Sequence, residues 1–184
     1  ALYMTFAYEM GETELFEKCR QRLKDVMVNW LTYTPGENNF FFARYQRWGA
    51  LIGYDTSYDS DTFNDHHFHY GYYTYAGALL ALFDEDFCRN YGEMLTLVAK
   101  DYANWDKSDK DFPFFRTFDP WAGHSYAGGL GGWNGNGQES TSEAMQGWGG
   151  MYLLGVATGN KEMRDAAIFG WTAESRGVAE YWFE

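Results

Sequence analysis

Between residues 13 and 30 the apolar side chains fall at Leu15, Phe16, Cys19, Leu23, Val26, Met27 and Trp30. That is the three-to-four-residue spacing of an amphipathic helix. Thr34-Pro35-Gly36-Glu37 breaks it. Residues 40–58 are aromatic without a clear period and read as irregular chain with a short extended piece. Asp61 or Thr62 is placed to cap a helix running to about Leu82. Asp84 or Glu85 opens the next, which carries Phe87, Tyr91, Met94, Leu95 and Val98 to about Tyr102. Residues 106–111 form a charged connection. Residues 112–137 make a loop too long for an ordinary link between helices, which marks it as functional. Ser140 or Thr141 then starts a helix through Met145, Trp148, Tyr152 and Leu153. Thr158-Gly159-Asn160 is a turn, and residues 161–183 read as a last helix packing through Met163, Ala167, Phe169 and Trp171.

No strands alternate with these helices, so a parallel α/β sheet is not expected. The fold class expected is all-α, an array of helical hairpins that bury their faces by stacking on neighbours or closing into a ring. The length of 184 residues suits one domain. Both ends read as cut, and no signal peptide pattern opens the chain at Ala1. The expectation is therefore one incomplete domain over residues 1–184, part of a larger toroid.

Composition narrows the function. Aromatic residues make up 21% of the chain, including 15 Tyr and 8 Trp, more polar-edged rings than a core needs. The surplus points to a wide binding surface. A net charge of −12 argues against nucleic acid and against anionic membrane surfaces, since both are bound through Lys and Arg. A neutral substrate fits better. No apolar run is long enough to span a bilayer. Cys19 and Cys88 lack metal-type spacing and read as unpaired core thiols.

Two segments gather the candidate chemistry. Residues 119–143 run from a glycine-rich loop studded with aromatics into Glu139 and Glu143. If a helix begins near Ser140, the two acids share one face, and their mutual repulsion favours keeping one proton. A second reading stands beside this one: Ser140-x-x-Glu143 fits a capping box. Upstream, Asp65 lies amid His66, His67, His69 and Tyr70, where rings would desolvate it and raise its pKa toward that of a general acid. Its plain alternative is a helix-start residue stabilised by the dipole. The histidines are too crowded for a zinc site, so no metal is expected, and no cofactor. A serine triad and a phosphate loop both lack their patterns. Trp121, Trp133, Tyr126, Tyr72 and Tyr75 are candidate stacking platforms. His69, Asp119, His124 and Arg116 are candidate hydrogen-bond donors and acceptors for hydroxyls, although Arg116 also suits a loop tie to Asp119.

Three blocks, FNDHHFHYGYY (63–73), FRTFDPWAGHSYAGG (115–129) and GNGQESTSEAMQGW (135–148), resemble the signature segments of glycoside hydrolase family 81, the endo-β-1,3-glucanases or laminarinases. The resemblance runs from about residue 45 to the end. It implies an (α/α)6 barrel, here incomplete, with the family's β-sandwich domain absent from this chain. It implies hydrolysis of internal β-1,3-glucosidic bonds with inversion, Asp65 as general acid, Glu139 as general base and Glu143 assisting. A β-1,3-glucan partner and an extracellular or cell-wall setting follow from the same resemblance. The bland alternative is a glucan-binding fragment without catalysis.

Overall fold

The computed structural model describes residues 1–54, 57–128 and 136–183. Among them, six helices form three consecutive hairpins: α1 (Leu2–Glu9) with α2 (Thr13–Leu31), α3 (His66–Phe83) with α4 (Glu85–Ala103), and α5 (Thr141–Thr158) with α6 (Lys161–Trp182). The all-α expectation holds, with two small additions. An antiparallel hairpin pairs β1 (Phe42–Tyr45) with β2 (Ala50–Gly53), and a two-residue pair joins β3 (Phe118–Asp119) to β4 (His124–Ser125).

The helix ends follow local chemistry. Asp84 caps α4 by accepting from Phe87 N at 2.9 Å, and it also takes Arg20 and Lys24 of α2 at 2.7 Å each. Gly159 ends α5 in the left-handed region at φ 69°, and Asn160 then caps α6 by accepting from Met163 N. The start of α3 differs from expectation. Residues 60–62 form a separate tight turn, and the residue before α3 is Asp65 rather than Asp61 or Thr62. Tyr58, Asp59, Phe63 and Asp65 all have positive φ, so the chain cannot run helically through this stretch.

The core lies between α3, α4, α5 and α6, with Leu80, Phe87, Leu95, Val98, Tyr102, Met151, Leu154 and Met163 fully or almost fully buried. The pair that matters most is α3 and α5. They run parallel and touch backbone to backbone through glycines. A Cβ on Gly71 would sit 2.8 Å from Gly147 Cα, one on Gly147 would lie 2.9 Å from His67 O, and one on Gly150 would lie 2.6 Å from Tyr75 N. Only glycine allows that approach, and it brings the N-terminal ends of both helices to the same end of the domain.

Cys19 and Cys88 are free and partly buried, on α2 and α4. No helix among the described residues is long and apolar enough to cross a membrane.

Candidate active site

Asp65 and Glu139 stand at the two adjacent helix starts, Asp65 immediately before α3 and Glu139 one residue before the cap of α5. Both sit in left-handed backbone, at φ 57° and 67°. For a non-glycine residue that conformation is strained, and such strain concentrates where function fixes a side chain. A narrow strap ties the two positions together. Ala127 O accepts from Asp65 N at 2.9 Å, and Ala127 N donates to Gly137 O at 2.8 Å. One residue thus bridges the backbone of the upstream acid and the approach to the downstream one. Ala127 also packs with Phe68 and Ala144 in a small buried cluster.

The carboxylates differ in environment. Asp65 is 5% exposed, and its Oδ1 has no hydrogen-bond partner among the described residues. Burial first, then the charges of Glu139 and Glu143, push its carboxyl up to about 6. Glu139 is exposed. Glu143 is half-buried, one turn into α5, and accepts a 2.5 Å bond from the Tyr72 hydroxyl. Burial and that bond raise Tyr72 to about 12, so the phenol stays a donor. The capping box is not formed: Ser140 makes no side-chain cap bond, and Glu143 turns to Tyr72 instead.

The three histidines take separate roles. His66 is clamped, its Nδ1 2.6 Å from the Asp101 carboxylate and its Nε2 2.8 Å from Ser60 O. Asp101 is fully buried. Burial opposes its charge, but His66 and Arg116 beside it, with the Leu51 amide, hold its pKa below the usual range. Arg116 is thereby committed to Asp101, at 2.6 Å, and the tie to Asp119 is not made. Asp119 instead folds its own turn, accepting from Trp121 N at 2.8 Å. His67 is buried with neither ring nitrogen partnered among the described residues; burial, reinforced by His66, lowers it to about 3. His69 lies 5.9 Å from the Tyr58 ring, and its pKa is lowered by burial while Glu143 pulls the other way. Among the described residues no three His, Cys, Asp or Glu side chains group as a metal set.

Sequence-expected residues therefore divide. Asp65 lies close enough to Glu139 and Glu143 to feel both charges, and Glu143 in turn reaches His69 and bonds Tyr72. Trp121 projects from the 119–123 turn with 96% exposure. His124 and Tyr126 pack together at 4.8 Å, with His124 also against Tyr181 and Trp182 at the end of α6. Trp133 lies outside the described residues. Three participants carried no sequence signal: Tyr58, 77% exposed beside His69; Asp101, behind His66; and Glu174 of α6, fully buried against the loop. A cavity of about 880 Å³ lined by Cys88, Gly92 and Thr158 lies at the opposite ends of α3 and α5, away from these acids.

Residues 1–184 match the family profile described as the glycosyl hydrolase family 81 C-terminal domain. The chain is similar to a glucan endo-1,3-beta-D-glucosidase of Acetivibrio thermocellus, 44% identical over 98% of this chain and 24% of that protein. It is similar to another of Thermobifida fusca, 41% identical over 99% of this chain and again 24% of the relative. A primary septum glucan endo-1,3-beta-D-glucosidase of Schizosaccharomyces pombe is 31% identical over 86% of the chain. The solved structure of a glycoside hydrolase family 81 protein from Clostridium thermocellum superposes with a TM-score of 0.95 at 43% identity, covering 98% of this chain and 26% of that one. The chain thus spans about a quarter of the length of the curated relatives it matches.

Proposed function

The chain belongs to the glycosyl hydrolase family 81 C-terminal domain family, and on that premise we propose that it carries the acid and base of an inverting endo-β-1,3-glucanase. The observation that carries the proposal is the asymmetry of two electrostatically coupled carboxyls. Asp65 is buried and raised to about 6, while Glu139 is exposed beside it. A general acid must hold a proton near working pH, and a general base must meet water. Asp65 protonates the departing glycosidic oxygen. Glu139 takes a proton from the water that attacks the anomeric carbon from the opposite face. Glu143, fixed by the Tyr72 hydroxyl, adds negative charge beside the developing oxocarbenium ion. An inverting site needs its carboxyls about 6.5–9.5 Å apart to admit that water.

His69 and Tyr72 lie beside Glu143 and are assigned to hold substrate hydroxyls and rings. Asp119, Trp121, His124, Tyr126 and Trp133 extend the same role along the loop. The substrate, a β-1,3-glucan, is a wall or storage polymer, which places the reaction outside the cell or at its wall; the name of the Schizosaccharomyces pombe relative supports this setting.

The test uses laminarin and the full polypeptide that carries these residues. Asp65→Asn and Glu139→Gln are each expected to lower turnover by about 10²–10⁴-fold with the fold retained. Near-normal turnover in either would remove that residue from the mechanism. Proton NMR of the first product should show the α anomer, and a β product rejects inversion. Because the chain covers only a quarter of its relatives, a glucan-binding role without hydrolysis is a second reading for these 184 residues alone. Laminarin binding without reducing-sugar release by the isolated chain favours it, and release rejects it.

A further inference from the structure

Glu174 is a carboxylate with no access to solvent, placed on α6 far from either signature acid in sequence. Burying such a group is costly unless each oxygen is engaged. Both are. Oε1 accepts from Ser125 N at 2.9 Å and from Gln138 Nε2 at 3.4 Å. Oε2 accepts from Ser125 Oγ at 2.6 Å and from Trp148 Nε1 at 2.8 Å.

The identity of these donors gives the arrangement its meaning. Ser125 lies two residues before Ala127, whose carbonyl receives Asp65 N and whose amide reaches Gly137 O. Gln138 directly precedes Glu139 and also donates to Thr141 Oγ1 at 2.8 Å, at the start of α5. Trp148 lies two turns further along α5. One buried side chain therefore grips the strap that spaces the two acids, the residue beside Glu139, and the helix that carries Glu143.

We propose that Glu174 is a positioning residue that sets the separation of Asp65 and Glu139 by holding the Ser125–Ala127 strap and Gln138 against α5. The inference rests on the assignment of Asp65 and Glu139 as acid and base. It requires no contact between Glu174 and substrate. Loss of the grip relaxes the strap, and displacements near 1 Å in a catalytic site cost about 10²-fold in rate.

Three variants in the full polypeptide test it. Glu174→Gln keeps the size of the side chain but puts an amide NH₂ where acceptors are needed. It is expected to lower kcat on laminarin by about 10–100-fold with KM within about twofold, and to shift the basic limb of the pH–rate profile because the charge coupling between Asp65 and Glu139 changes. Ser125→Ala removes one bond to the strap and is expected to lower kcat in the same way but less. Trp148→Phe breaks the bond that ties Glu174 to α5 and is likewise expected to lower kcat with KM within about twofold. If Glu174→Gln fails to fold, judged by circular dichroism, the other two decide. Wild-type kcat in folded Ser125→Ala and Trp148→Phe, or a folded Glu174→Gln with wild-type kcat and pH profile, overturns the proposal. Should Asp65→Asn or Glu139→Gln retain turnover, the site assignment falls and this inference with it. Wild-type turnover in Glu174→Gln while both of those are inactive sinks this inference alone.

Discussion

Asp65 is held where ionisation is unfavourable, and the same fact governs both its chemistry and its effect on stability. Its folded pKa of about 6 lies above the ordinary aspartate value of 3.8. The site thus binds a proton that the unfolded chain has released between those pH values. Its contribution to stability is fully present below about 3.8 and is lost as pH rises through about 6. At about 1.4 kcal/mol per pH unit, the loss is on the order of 2–3 kcal/mol. Asp65→Asn removes the charge without the cost. It should melt several degrees above the parent at pH 8, with the difference shrinking toward zero near pH 4. Paired melting curves at the two pH values check this, and an Asn variant that melts lower at pH 8 refutes it. With Asp65 as the proposed general acid, the rate should fall about tenfold per pH unit above pH 6. The sequence showed Asp65 among rings and hence the direction of its shift. It did not show that Oδ1 would lack a partner, nor that Asp101, 36 residues on, would take His66 away from it.

Helix α3 owes its placement to glycines that a hydropathy pattern treats as weak points. The apolar period located all of the longer helices to within a few residues, because that period records which face is buried. It gave the start of α3 too early. The aspartate and threonine at 61 and 62 are good capping types, but the positive φ values at Phe63 and Asp65 interrupt the chain beyond them. The β1–β2 hairpin was read only as a short extended piece, since Phe42-Ala43-Arg44-Tyr45 and Ala50-Leu51-Ile52-Gly53 lack a strict alternation of apolar and polar residues. Nor could periodicity reveal that α3 and α5 are parallel and in backbone contact. That contact yields an element-scale prediction. Gly71→Ala gains about 1 kcal/mol of helix propensity. Its Cβ, however, meets Gly147 Cα at 2.8 Å, where backbone and not a flexible side chain must yield. Overpacking of this kind costs about 1–3 kcal/mol or more. The net expectation is a lower melting temperature together with a fall in kcat, because separating α3 from α5 moves Asp65 away from Glu139. A variant with unchanged melting and turnover shows that the close approach is dispensable.

At the scale of the whole molecule, Asp65 and Glu139 stand at one end of two parallel helices and are tied by a strap anchored on a third. The signature blocks made the upper part of this legible, since Asp65, Glu139 and Glu143 lie in residue strings of unusual composition. The anchor was not legible. Glu174 lies in the sequence TAESRGVAE, where an acid two residues from an arginine reads as a solvated helix face. Only the packing of α6 against the loop shows it to be buried. Charge is the property that the sequence and the structure describe in the same terms. The chain carries a net charge of −12, and at the site Glu139, Glu143 and Asp59 lie close enough to Asp65 to add to its shift. Such a cleft repels polyanions over the Debye length, which is about 30 Å at 0.01 M salt and about 8 Å at 0.15 M. Neutral laminarin should therefore be hydrolysed with a KM that changes less than about twofold across this range. A carboxymethylated β-1,3-glucan should be a poor substrate at low salt and improve severalfold at 0.15 M as its charges are screened. Steady-state kinetics on both polymers at the two ionic strengths separate the effects. Equal salt dependence of the two substrates would show that the acidic character of the cleft plays no part in choosing a neutral glucan.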